Sequence, residues 1–324
     1  MKLDKVPQED LLVTEHGPIY NFLYSAWIHI LKLMGMNMLF IIFNIPAMLI
    51  AYVYTLYFLP RINSTFELTN FVRFMLDNGV TGNSSLGNEI TGEDAAYQFY
   101  FLFVLFCVMF FLCSLLICVG PFQAGFSQIF RNMRRQGSVF FFEDFKQGVK
   151  ENWKQSTAAC LISLVFTAIV LFAIGFYANL GSRVGIVLAV VFTFILASFM
   201  VIQNIVYQLM VSRQLSLKNL YKNAFLFYLL SFGPCLGIMA IMVLFYVVIP
   251  FMMIMTTTYL WLGIYVFLYM FFLVAWVQYL ISFITGGIIN KYMPPPAEDA
   301  AEDEEEFYGE DPDMSGDTDL GGDE

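Results

Sequence analysis

Two sets of side chains in this sequence have types and spacings that could do chemistry. The first is cationic. Arg131, Arg134, Arg135, Lys146, Lys150 and Lys154 fall between Gly120 and Thr157, opposed only by Glu143, Asp144 and Glu151. A second basic stretch carries Arg213, Lys218 and Lys222, with Tyr221 among them. Such groups hold a helix at the lipid phosphates or dock a cytosolic partner. The second set is neutral: Asn37, Asn44, Gln203, Asn204, Gln208 and Gln278, all inside apolar blocks. Amides at membrane depth either bond helix to helix or line a polar pocket for a neutral solute such as a sugar.

Neither set is catalytic. The sequence has no P-loop, no HExxH and no GxSxG. His16 and His29 are near the N-terminus, far from any nucleophile pattern. The five cysteines, Cys107, Cys113, Cys118, Cys160 and Cys235, lie inside apolar blocks without the spacing of a zinc site or disulfide framework. No residue is assigned to catalysis, to a metal or to a cofactor, and a non-enzymatic protein is expected.

The elements that must position these groups are membrane helices. Of 324 residues, 59% are hydrophobic and 13% charged, against about 25% charged in soluble domains. The net charge of −10 comes from the C-terminus: fourteen acids and no Lys or Arg lie between Glu298 and Glu324, leaving twelve acids against sixteen bases elsewhere. The tail, 293–324, is therefore expected to be solvated and disordered. Residues 1–17 are polar and charged, so the following apolar stretch is expected to stay as an anchor. The membrane domain is placed at 18–292.

Within it, Pro18–Leu33 reads as an interfacial helix, followed by spans near 35–59, 97–119, 158–177, 184–210, 233–250 and 259–289. The fold class expected is an all-α polytopic bundle of about six spans. The polar loop 61–96 contains the glycosylation sequons at Asn63 and Asn83 and a short amphipathic helix over Phe66–Leu76. The basic segments 120–157 and 211–223 lie on the opposite side. Sixteen cations divide thirteen to three between the two sides, with only Arg61, Arg73 and Arg183 on the side of the polar loop. The excess of Lys and Arg marks the cytoplasmic face, so both termini are expected in the cytoplasm of a multi-pass cell-membrane protein in contact with the lipid bilayer.

In the first basic segment Phe142, Phe145, Val149 and Trp153 step by three and four, with Lys146, Lys150 and Lys154 beside them. This predicts an amphipathic helix over 139–157, lying in the interface plane and started by Ser138 or Asp144 as cap. It would serve as a topology anchor or as a docking helix for a cytosolic partner. Ser216–Phe232 is a second candidate docking helix. Phe142–Gln147 can be laid on Leu217–Lys222, which hints at a parallel repeat of span, amphipathic helix and span. Between Lys32 and Arg61, Lys154 and Arg183, Arg183 and Arg213, and Lys222 and Lys291 there is no Asp, Glu, Lys, Arg or His. Proton-coupled carriers place such groups at membrane depth, so proton-driven transport is disfavoured. Nothing in this composition calls for nucleic acid.

Three places carry a family resemblance: Asn37-Met-Leu-Phe40 with Ile45-Pro46; Gly120-Pro121 with Ala124, Phe142-x-x-Phe145-Lys146 and Asn152-Trp153-Lys154-Gln155; and Leu217-Lys218 with Lys222-Asn223-Ala224-Phe225. In these the chain resembles the YesL family of bacterial membrane proteins, a family without an established function. Its members are often encoded beside carbohydrate ABC importers and glycan-degrading enzymes. The resemblance therefore implies an accessory role in carbohydrate uptake, with a carbohydrate ABC transporter component as possible partner. A permease for a neutral small solute, using the amides, is the alternative.

Overall fold

The computed structural model describes residues 17–79, 91–135, 140–255 and 259–294. The segment 1–16, the second sequon at Asn83, the cap candidate Ser138 and the acidic tail from Pro295 lie outside the described residues. Among the described residues there are eleven helices and no strand. We label them α1 (Pro18–Ile28), α2 (Ile30–Phe43), α3 (Ile45–Val53, continued to Ile62), α4 (Leu68–Asp77), α5 (Gly92–Cys113), α6 (Gly120–Arg134), α7 (Phe141–Asn179), α8 (Arg183–Ser212), α9 (Leu217–Leu230), α10 (Phe232–Val243, continued to Met255) and α11 (Tyr259–Leu268, continued to Tyr292). Six helices are long and apolar enough to cross a membrane: α3, α5, α7, α8, α10 and α11. The bent pair α1 and α2, meeting at 77°, would make a seventh if counted as one span. The protein is an all-α, multi-pass membrane bundle.

The first span differs from its sequence reading. The chain turns at His29, whose Nδ1 bonds the Ser25 carbonyl at 2.9 Å, and breaks again at Asn44. Pro46 explains the second break: it lacks an N–H and its ring crowds the carbonyl four residues back. Asn44 links this break to its neighbours. Its amide donates to Phe40 O at 2.8 Å and accepts from Val119 N at 3.0 Å, which ties this break to the start of α6. The apolar crossing therefore runs from Ile45 to Ile62 rather than from 35 to 59.

Three spans contain a widened π-helical turn: Tyr54–Phe58 in α3, Leu244–Val248 in α10 and Tyr269–Leu273 in α11. Two have a proline just beyond, Pro60 and Pro250. The carbonyls those rings would strike, on Leu56 and Tyr246, fall inside the widened turns, which move them aside. The third turn has no proline after it. Asn37 from α2 serves it instead, donating to Tyr269 O at 2.8 Å and Met270 O at 2.6 Å and accepting from Ala275 N at 2.8 Å. One buried amide so satisfies three backbone groups that a π turn leaves unpaired.

The second span runs from Gly92 to Cys113, starting and ending earlier than the expected 97–119. Leu115 then adopts a left-handed conformation (φ 59°) and turns the chain toward α6. A non-glycine residue pays about 1–2 kcal/mol for that, offset here by a fully buried leucine side chain. The carbonyls of this link are taken up by α7: Ser163 Oγ donates to Leu116 O at 3.0 Å and Cys160 Sγ to Cys118 O at 2.8 Å.

Candidate functional site

Most of the described basic residues lie at the C-terminal end of α6, on the first half of α7 and at the start of α9, and α6 is itself buried among its neighbours. α6 and the first half of α7 run antiparallel in very close packing, and three glycines permit it. A Cβ on Gly120 would collide with the Ser156 carbonyl, one on Gly125 would lie 2.6 Å from the Phe145 ring, and one on Gly148 would lie 2.8 Å from Gln128 Cβ. Within the basic segment 120–157, read from sequence as a loop, the described residues are helical on both sides, Gly120–Arg134 in α6 and from Phe141 in α7.

Nor does its second helix lie in an interface plane. It is the first part of α7, an uninterrupted helix of 39 residues. At about 1.5 Å per residue that is roughly 58 Å, nearly twice a hydrocarbon core of about 30 Å. The polar stretch Asn152–Thr157 does not break it, because its side chains bond back to backbone carbonyls one turn earlier: Asn152 to Gly148 O at 3.1 Å, Ser156 to Asn152 O at 2.7 Å and Thr157 to Trp153 O at 2.6 Å. The helix starts after Phe140, which offers no side-chain cap. Asp144 lies inside the first turn as a buried residue, where its charge suits the helix dipole, but it is not the cap.

The apolar stripe expected along this helix is divided. Phe145 points inward, stacking on Phe43 at 5.1 Å and meeting Phe126 edge-on at 5.1 Å. Val149 is half-buried. Phe142 and Trp153 are turned out, 73% and 54% exposed. Lys146, Lys150 and Lys154 are exposed beside them, Lys154 Nζ lying 5.6 Å from the Trp153 ring centre. The outward surface thus combines two aromatic rings with three lysines.

The arginines behave differently from the lysines. Arg131 donates to Val211 O at 2.7 Å, fastening α6 to the end of α8. Arg213 donates to Ser212 O and to Met293 O, each at 2.7 Å, joining the ends of α8 and α11. Arg134 packs its guanidinium against Gly286 of α11. Burial pushes the Arg134 guanidinium down to about 10, with Arg135 and Arg213 adding to the effect, so it stays cationic at neutral pH. Arg135 itself is exposed. Lys218 and Lys222 on α9 are also exposed, whereas Tyr221 turns inward and donates to Gln203 Oε1 at 3.0 Å. Burial pushes the Tyr221 phenol up to about 12.

The six amides are buried but occupy separate joints. Asn37 holds the π turn of α11 and Asn44 the start of α6, as described. Gln278 donates to Cys113 O at 2.7 Å, closing the end of α5. Gln203 donates to Ala159 O at 3.3 Å and receives Tyr221, bridging α7, α8 and α9. Asn204 bonds within its own helix to Met200 O at 2.9 Å. Gln208 keeps a buried Oε1 without a hydrogen bond among the described residues. A cavity of about 140 Å³ between α5, α10 and α11 is lined by residues such as Phe106, Met109, Tyr246 and Tyr269, and none of the six amides reaches it. Sequence reasoning missed Gly286, against which Arg134 packs; the adjacent glycines Gly286 and Gly287 in an otherwise helical run were the available signal.

No curated protein and no solved structure matches the chain. A family model does match, and it covers most of α5, all of α6 and most of α7, the region where α6 packs on α7. Over residues 99–174 the chain matches the family described as Protein of unknown function, DUF624, and the YesL-like resemblance is consistent with that match.

Proposed function

We propose that the protein is a non-enzymatic membrane accessory or scaffold subunit, linked to carbohydrate uptake, that docks a partner on the paired helices α6 and α7. The observation that carries this reading is the outward face of α7. Phe142 and Trp153 are exposed at 73% and 54% on a helix that continues rigidly from a membrane span. Exposed Trp and other large aromatic side chains are typical anchors of protein interfaces. The positive-inside rule places this face in the cytoplasm with both termini, where the cytosolic parts of an ABC transporter are found. The link to carbohydrate uptake rests on the family resemblance alone. The dispersal of the amides over separate joints favours this reading over a permease pathway.

Affinity purification from native membranes tests it. Wild-type protein is expected to bring down a transporter component, and Trp153→Ser combined with Phe142→Ser to lose it while still inserting. Recovery of an unchanged set of partners with the double variant would refute the docking face.

A further inference from the structure

We propose that the end of α3 binds one two-chain anionic phospholipid, its phosphate on Arg61 and its acyl chains in two apolar clefts that meet there. The first cleft coincides with the widened turn Tyr54–Phe58 that precedes Pro60. It has a volume of about 380 Å³ and runs along α3 from Leu49 past Val53, Tyr54 and Tyr57 to Arg61. Tyr54 and Phe58 are half-buried and stack at 4.6 Å, whereas Leu49, Val53 and Tyr57 are exposed. The second cleft, about 270 Å³, lies between Ile62 of α3 and Phe172, Phe176 and Leu180 at the end of α7, and Arg61 lines it too. The missing side chain of Gly175 lets the two helices meet here, since a Cβ on it would fall on Ile62 Cγ2. The Asn179 amide donates to Ile62 O beside it. The backbone next to Arg61 is thereby held against α7.

Depth and charge select the occupant. Leu49 and Arg61 are twelve residues apart, about 18 Å of helix, which is close to one leaflet's share of a hydrocarbon core of about 30 Å. Both α3 and α7 are membrane spans, so lipid is what reaches these faces. The clefts lie at the end of α7 opposite Lys146 and Lys150, hence in the leaflet away from the basic helices. Arg61 is exposed, and among the described residues no carboxylate lines either cleft. An arginine at a helix end reaches the head-group layer in any case. A cation at the junction of two chain-deep clefts adds shape to that attraction. The guanidinium fork matches the phosphate oxygens, and a single-chain ligand would leave one cleft unfilled.

Full-length protein in a neutral detergent is titrated with dioleoyl phosphatidylglycerol and, separately, with dioleoyl phosphatidylcholine, and bound lipid is counted by native mass spectrometry. Wild type should hold one phosphatidylglycerol per chain in preference to phosphatidylcholine. Arg61→Gln should bind phosphatidylglycerol roughly tenfold less tightly, the loss of a charge-assisted hydrogen bond. Arg73→Gln removes a cation that lines neither cleft and should bind as wild type does. Val53→Trp blocks the first cleft, keeps Arg61 and should weaken both lipids. All three replaced side chains are exposed, so the variants report binding rather than folding. Equal affinity of wild type for the two lipids, equal losses in Arg61→Gln and Arg73→Gln, or full binding by Val53→Trp overturns the site. So does a lipid-free dimer that Val53→Trp dissociates, because a second copy would then fill the clefts.

Discussion

The close packing of α6 on α7 predicts the effect of a single methyl group. In Gly148→Ala the new Cβ would lie 2.8 Å from Gln128 Cβ and 3.0 Å from both Ala124 O and Gly125 Cα. Two of these three neighbours are backbone, so no rotamer change relieves them and the helices must separate by some tenths of an ångström. Overpacking of this kind costs about 1–3 kcal/mol. Replacing a helical glycine by alanine returns about 0.5–1 kcal/mol. The net expectation is a loss of roughly 0.5–2 kcal/mol. Gly237→Ala on α10 is the matched control, since nothing stands within 4 Å of its Cβ; it should gain about 0.5–1 kcal/mol. Equilibrium unfolding of the purified variants in mixed micelles of increasing SDS fraction measures both. Gly148→Ala proving as stable as Gly237→Ala would show that α6 and α7 are not in close contact at this point.

Phe145→Ser and Trp153→Ser, equivalent on the sequence pattern, should separate: the first loses roughly 2 kcal/mol of stability as a half-buried ring packed on Phe43 and Phe126, while the second stays within about 0.5 kcal/mol of wild type, both read in the same unfolding assay. Asn37→Leu strips partners from Tyr269 O, Met270 O and Ala275 N. It should cost about 1–3 kcal/mol, and an unchanged unfolding midpoint would show that the π turn needs no support. Lys150→Cys should react with a membrane-impermeant maleimide only after cells are permeabilised; labelling of intact cells would place the basic end outside.

Helix-forming blocks and their order were legible in the sequence because lipid exposure imposes a strong compositional signal on residues such as Leu161, Val165 and Phe172, all turned outward on α7. The amphipathic helix of the polar loop was equally plain, at Leu68–Asp77. Partnerships between distant residues were not. Asn37 and Tyr269 are 232 positions apart, and nothing local to either announces a π turn. The periodicity of Phe142, Phe145, Val149 and Trp153 located a helix correctly but could not say that Phe145 would meet Phe43, since a three-four spacing spans a face wide enough to contain both a buried and an exposed edge. Charge density found the basic end, yet it could not separate the inward arginines from the outward lysines. That division depends on carbonyls at Val211 and Met293 and on the missing side chain of Gly286.

The central claim is that the exposed face of α7 beyond the bilayer meets protein, whereas the same helix within the bilayer meets lipid. A photo-crosslinking amino acid at Trp153, compared with one at Phe172, tests this in native membranes. The two positions are similarly exposed, at 54% and 63%. The account predicts a recurrent protein adduct at 153 that includes a transporter component, and lipid adducts alone at 172. Lipid adducts alone at both positions would contradict it.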